Sequence, residues 1–243
     1  AKALRSIEER TGVCIHLDLE PEPGCVLDVS RDVVDLFEQA FRPSDDIDHR
    51  RYLRVCHDVC HAAVMFEPQT AALRTYREHE IGVGKIQVSS AIEVDFDAID
   101  DEEERARTLD AYRGFVEPRY LHQTMIRTGE EPHFDAEFFE DLPIALENRA
   151  EHQVPHGLWR THFHVPIFTQ GMNGWSSTQT EIERCLAAFP KDLPLPMLEV
   201  ETYAWDVLPN CLYAGDEGLS AGIAEELRWL RGTVETIRGG SSA

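Results

Sequence analysis

The stretch VCHDVCH, residues 55–61, places Asp58 and His61 three positions apart at the end of an apolar run. Ionisable groups at the end of a buried strand are costly to desolvate, so water or a partner must meet them. Glu20 in LDLE, His162 and His164 in THFHV, and Glu201 in EVETYAW end comparable runs. Acids and imidazoles converging on one point repel or desolvate badly unless a divalent cation lies among them. Carboxylates with His or Gln suit Mn²⁺, Mg²⁺, Co²⁺ or Zn²⁺ and leave positions open for substrate oxygens. A cation bound to adjacent carbonyl and hydroxyl oxygens acidifies the carbon-bound hydrogen and stabilises the enediolate that results. Glu20 and Glu201, on different strands, then suit the acid and base that move the proton. The same cation could activate water for hydrolysis, and residue types alone leave both chemistries open.

Positioning those groups falls to five runs with strand character: VCIHLDLE, RYLRVCHDVCH, KIQVSSAIEV, WRTHFHVPIF and MLEVETYAW. Helical segments separate them, beginning near Ser30 and Pro68 and stopping at Gly12 and Gly82. Acidic residues crowd the first turn of the helix that starts in DEEERA. Alternating strand and helix predicts a parallel sheet. Residues of about 117–160 interrupt the pattern and read as an excursion, with YLHQTMI a strand and DAEFFEDLPIALENRA loop and short helix. Side chains alternate across a strand, so each run splits into two faces. One face is apolar throughout, as in Val13, Ile15, Leu17 and Leu19, or Phe163, Val165 and Ile167. The other carries Glu20, Asp58, Lys85, Gln87, Ser89, His162, His164 and Glu201. A doubly covered open sheet has no place for that many polar groups, whereas a closed barrel has a polar mouth at its C-terminal strand ends. The expected fold is therefore α/β, a (β/α) barrel; a one-layer sheet with a solvated face is the competing reading. Asp58 becomes the last lumen-facing residue of its strand, with His61 on the turn above and His57 pointing away.

Composition narrows the partners. The chain has 243 residues, 42% hydrophobic and 28% charged, enough for one domain with an ample core. A net charge of −22 repels phosphate backbones and argues against nucleic acid, leaving a small-molecule metabolite as the expected partner. No apolar run approaches the ~20 residues that membrane insertion needs. Six cysteines (Cys14, Cys25, Cys56, Cys60, Cys185, Cys211) without a CxxC pair read as reduced core thiols of a cytoplasmic protein. The opening AKALRSIEERTG reads as the tail of a helix, so further residues are expected before it. Lys85 and Arg160 could bind a substrate phosphate, but each is more often a surface or rim salt-bridge residue. Trp205 and Tyr203 could stack on a sugar ring or pack in the core. His122, His133, His152 and His156 fall in the excursion and read as loop residues.

These motifs resemble those of the xylose-isomerase-like barrel superfamily, which holds sugar isomerases and epimerases and the type IV apurinic endonucleases. VCHDVCH resembles its fifth-strand motif, which implies Asp58 as a metal ligand and His61 as a contact to metal or substrate. LDLEPEPG is similar to the fourth-strand segment and implies Glu20 as a ligand, with Glu22 the second choice. EVETYAW is similar to the eighth-strand segment and implies Glu201. Where the superfamily places a histidine ligand on strand six, this chain has Gln87, with His162 or His164 available to compensate. HLDLEPEPGCVL, CHDVCHAAVMFE, THFHVPIF and ETYAWDVLP together resemble the EboE family of metabolite-traffic proteins.

The resemblance implies a metal-dependent sugar isomerase- or epimerase-like protein acting on a small polyol, sugar or related metabolite, linked to metabolite export. Its divalent ion would be held by Glu20, Asp58, Gln87, His164 and Glu201, with His61, His162, Lys85, Arg160 and Trp205 on the substrate side. A non-catalytic carrier of a small metabolite is the alternative, favoured by Gln87. Phosphodiester cleavage of the endonuclease kind is the remote one, opposed by the charge. The mapping also implies that residues 1–243 form the C-terminal part of the barrel, with an insertion at about 117–160. Two strand edges would then be exposed, to be covered by a missing N-terminal half or by another copy in a homo-oligomer.

Overall fold

The computed structural model describes residues 1–41, 48–130, 133–150, 154–208 and 216–239; Cys211 and His152 lie outside the described residues. The first elements are α1 (Lys2–Thr11), β1 (Leu17–Leu19), α2 (Ser30–Ala40), α3 (His49–Tyr52) and β2 (Leu53–Asp58). Next come α4 (Val59–Val64), α5 (Gln69–Glu78), β3 (Val83–Val88), β4 (Ile92–Asp95) and α6 (Glu102–Arg113). β5 (Thr124–Glu130), β6 (His133–Phe139), α7 (Leu142–Arg149), β7 (Leu158–Thr161), β8 (Gly171–Met172) and β9 (Trp175–Ser177) follow. The last are α8 (Gln179–Ala187), β10 (Met197–Val200) and α9 (Asp216–Gly239). No described helix is long and apolar enough to cross a membrane.

Local chemistry accounts for several boundaries. Gly12 closes α1 in the left-handed region, φ 71°, and its N–H donates to the Glu8 carbonyl. Asp101 caps α6 by accepting from the Glu104 N–H at 2.7 Å, ahead of Glu102, Glu103 and Glu104 in the first turn. Ser30 opens α2 as its first residue instead of capping it. Its hydroxyl donates to Glu67, and Asp32 accepts the Val29 N–H at 3.0 Å.

Two sheets result. The first is wholly parallel, in the order β1-β2-β3-β10, and buries Val55, Ile86 and Val88 against Val34, Phe37, Tyr76 and Ile182 of α2, α5 and α8. The second has the order β6-β5-β7-β4-β9-β8, is antiparallel, and packs Trp159 and Trp175 with Tyr112 of α6 and Leu142 of α7.

These sheets differ from the expected strand assignments. The parallel sheet has four described strands, not five, and no barrel closes among the described residues. WRTHFHVPIF is not a parallel strand: β7 pairs antiparallel with β4 and β5, and residues 162–165 run on as extended chain. KIQVSSAIEV divides at Ser89 and Ser90 into β3 and β4, one strand for each sheet. DAEFFEDLPIALENRA holds most of β6 besides helix α7, and the excursion recruits β4, β8 and β9 from outside 117–160. The reason is common to all three. β4 and β7 find their partners in distant sequence, β6 folds back on the neighbouring β5, and a short apolar run does not encode which sheet it joins. Burial also departs from the expected apolar face: Val13 is 57% exposed and Leu17 56%, because β1 is an edge strand with one neighbour. Cys25 is exposed, while Cys56, Cys60 and Cys185 are buried free thiols.

Candidate metal centre

The C-terminal ends of the parallel strands carry the candidate site. Asp58 ends β2 and caps α4: its Oδ1 accepts the His61 N–H at 2.9 Å and the Ser89 hydroxyl at 2.7 Å. Oδ2 is left buried without a hydrogen-bond partner. The cap also turns the chain so that His61 projects over the strand end. Register places Gln87 beside Asp58 and beside Glu199, and the Glu201 N–H donates to the Val88 carbonyl just beyond β10. The 162–165 chain is held from both sheets, through His162 N–H to the Gln123 carbonyl and Val165 N–H to the Ser90 carbonyl. Strand-like alternation persists there: Phe163, Val165 and Ile167 are fully buried, and His162 and His164 turn to the site.

Three imidazoles meet. His162 Nε2 lies 3.2 Å from His61 Nε2 and 3.1 Å from His164 Nε2. On the far side of each ring, Nδ1 is taken by an oxygen: His61 by the Pro21 carbonyl at 2.8 Å, His164 by the Glu201 carbonyl at 2.5 Å, His162 by Gln123 Oε1 at 2.8 Å. Carbonyl oxygens only accept, so each Nδ1 carries a proton, and a neutral ring then presents its Nε2 lone pair to the neighbouring Nε2. Lone pairs at this separation repel unless a cation lies between them. Two ligands about 2.05 Å from a tetrahedral ion stand about 3.3 Å apart, close to the spacing observed. The carbonyl and amide partners are the outer contacts that fix a metal-binding imidazole.

Carboxylates complete the arrangement. Donor atoms of Glu20, Asp58 and Glu201 lie within 4.8 Å of one another, as do those of Asp58, His61 and His164, of Glu22, His61 and His162, and of Cys60, His162 and His164. Asp58 Oδ2 is 4.0 Å from His61 Nε2. Glu201 Oε2 is a second buried oxygen without a hydrogen-bond partner. Burial, and then the Asp58 carboxylate, push Glu201 up to about 8. Burial raises Glu20, and it holds His164 down at about 4 and His162 well below the usual imidazole range. For Asp58 burial acts upward but is outweighed by His61 and His164 and by the bonds from His61 N–H and Ser89, leaving it below the carboxylate range. The resulting donor set is neutral imidazoles with ionisable carboxylates, which suits a divalent ion.

A cavity of about 480 Å³ opens over these groups, walled by Glu22, Arg119, Tyr120, Leu121 and Tyr203. Tyr203 lies 4.5 Å from the His164 ring and 4.8 Å edge-on from Tyr120.

Gln87 stays beside Asp58 at the site, and the remaining sequence candidates sit elsewhere. Gln87 accepts the Cys56 thiol proton. Lys85 is bound to Glu199 at 2.6 Å, one layer below the site. Arg160 binds Glu93 at 2.6 Å and the Ala63 carbonyl at 2.8 Å and stacks 4.5 Å over Phe66. Trp205 points its N–H at Glu226 and does not line the cavity. His57 is buried and bonded to Gln69 at 2.8 Å.

Residue-type reasoning missed Gln123, which orients His162; His122 lies outside the regular elements as expected, but in the interior. His122 is fully buried, with its ring nitrogens 3.0 Å from the His162 carbonyl and 3.0 Å from Glu117. The available signal was HQ at the start of an apolar strand run. No family model, curated protein or solved structure matches this chain.

Proposed function

We propose that this protein binds a divalent ion at His61, His162, His164, Asp58, Glu20 and Glu201 and acts as an isomerase or epimerase on a small polyol, sugar or related metabolite. The fold we assign to it is an incomplete xylose-isomerase-like (β/α) barrel, and membership of the EboE metabolite-traffic family is part of the proposal. The observation that carries the reading is His162 Nε2 at 3.2 Å from His61 Nε2 and 3.1 Å from His164 Nε2, each ring anchored through Nδ1, beside the unpartnered Asp58 and Glu201 oxygens. Mixed nitrogen and oxygen donors favour Zn²⁺, Co²⁺ or Mn²⁺ over Mg²⁺.

Bound there, the ion would polarise adjacent carbonyl and hydroxyl oxygens of a substrate. Glu201, partly exposed at the cavity wall, takes a proton from substrate carbon or returns it, and Glu20 serves the opposite side. Tyr120 and Tyr203 offer aromatic surface to a sugar face.

The test is elemental analysis of the purified chain with Asp58→Asn and His162→Ala variants, joined to exchange of solvent deuterium into candidate sugars. About stoichiometric metal, lost in both variants, and deuterium at carbon lost in Glu201→Gln are expected. Metal content unchanged in both variants ends the proposal. A second reading, a non-catalytic metabolite carrier, is favoured by Gln87, whose amide oxygen is occupied by Cys56. Metal-dependent binding of a sugar without deuterium exchange would select it.

A further inference from the structure

At the opposite ends of β2 and β3 lies a second cavity, about 560 Å³, between the C-terminal ends of α5 and α8 and the segment leading into β10. Its wall is apolar, with Leu73, Tyr76, Phe189 and Leu195 among the lining side chains. Two cations, Arg54 and Arg77, line it as well. Arg54 is half-buried and Arg77 exposed, and neither guanidinium makes a hydrogen bond or ion pair with a described residue. That is unusual in this chain. Its net charge is −22, and Arg31, Arg51, Arg119, Arg149, Arg160 and Arg184 are all engaged by carboxylates. Glu80 is the single carboxylate lining the cavity. Guanidinium groups held beside apolar surface match a planar or tetrahedral oxyanion on an apolar body, because the fork accepts two oxygens at once. The volume is within the range of small-molecule sites.

We propose that this cavity binds a small amphiphilic anion, its apolar body against Leu73, Tyr76, Phe189 and Leu195 and its carboxylate or phosphate head on Arg54 and Arg77. The site is independent of the metal centre, since the two lie at opposite ends of the parallel strands.

Calorimetric titration of the full chain with decanoate, decyl phosphate and decanol, each below its aggregation concentration, tests it. Both anions should bind saturably and at least about tenfold more tightly than decanol, the scale of a charged hydrogen-bonded pair. Whichever anion binds more tightly identifies the head group. Replacing both arginines (Arg54→Met, Arg77→Met) keeps the apolar stems and should remove the preference for an anion; Glu201→Gln should leave it intact. Decanol binding as tightly as the anions, no saturable binding of any probe, or a preference that survives the double replacement overturns the proposal.

Discussion

His162 stands between two other imidazoles, and its orientation rests on a side chain from the other sheet, Gln123 at 2.8 Å. Outer partners of this kind typically hold 10–100-fold in metal affinity. Gln123→Leu is expected to weaken Zn²⁺ binding about 10–100-fold, read by competition with a chromophoric chelator, with little change in melting temperature. Affinity equal to the parent's would remove Gln123 from the site. Much of the residue list was legible in the sequence. Asp58, His162, His164 and Glu201 declare themselves because strand alternation separates them from Val55, Phe163, Val165 and Val200. Lys85 and Arg160 read first as salt-bridge residues and Trp205 as readily as a core residue, and in the fold Glu199, Glu93 and Glu226 engage their polar atoms.

At the scale of elements, α9 locks the loop behind Glu201. Glu226 is fully buried and accepts from the Ile167 N–H at 3.1 Å, the Thr202 hydroxyl at 2.5 Å and the Trp205 indole at 3.3 Å. One turn earlier, Gly222 lets Trp205 approach so closely that an added Cβ would lie 2.2 Å from the ring. Gly222→Ala should therefore cost about 1–3 kcal/mol by overpacking and weaken metal binding by displacing the loop. Thermal denaturation and the same chelator competition check both effects, and an unaltered melting temperature refutes the first. Helix α1 is held differently. It buries no side chain, and Glu8 ties it to Arg51 and to the Tyr52 hydroxyl at 2.7 Å. Hydrogen bonds from Arg51 and Tyr52 hold Glu8 down at about 2. A depressed carboxyl stabilises the docked helix fully above its free value of 4.5 and loses that contribution as pH falls through about 2. Amide protection factors in residues 2–11, corrected for the intrinsic exchange rate at each pH, should fall across that interval before those of the core. Equal protection at pH 5 and pH 2.5 would contradict it.

For the whole molecule, the consequence of four parallel strands is that β1 and β10 are edges with no further strand partner among the described residues. β1 exposes Leu17 and β10 exposes Met197, which is 69% accessible. On α9, Leu219, Ile223 and Leu227 repeat every four residues along one exposed stripe. Unpaired edges beside apolar surface invite association. The isolated chain should self-associate reversibly in sedimentation velocity despite its charge. Leu17→Lys combined with Met197→Lys should return it to a monomer. A parent that stays monomeric as concentration rises rules this out.

The alternation of strand and helix in the parallel part, the acidic charge and the residues able to hold a cation were present in the sequence, because periodicity, charge and side-chain chemistry are local properties. Which sheet each strand joins was not. Ile92–Asp95 and Leu158–Thr161 read like any other apolar run, yet pairing with β5 and β9 carries them into the antiparallel sheet that brings Gln123 to His162. Nor could alternation say that three imidazole nitrogens would meet at 3.1–3.2 Å. That convergence needs side chains from residues 61, 162 and 164 oriented by oxygens at Pro21, Gln123 and Glu201, and contacts so distant in the chain are settled only when the sheets assemble.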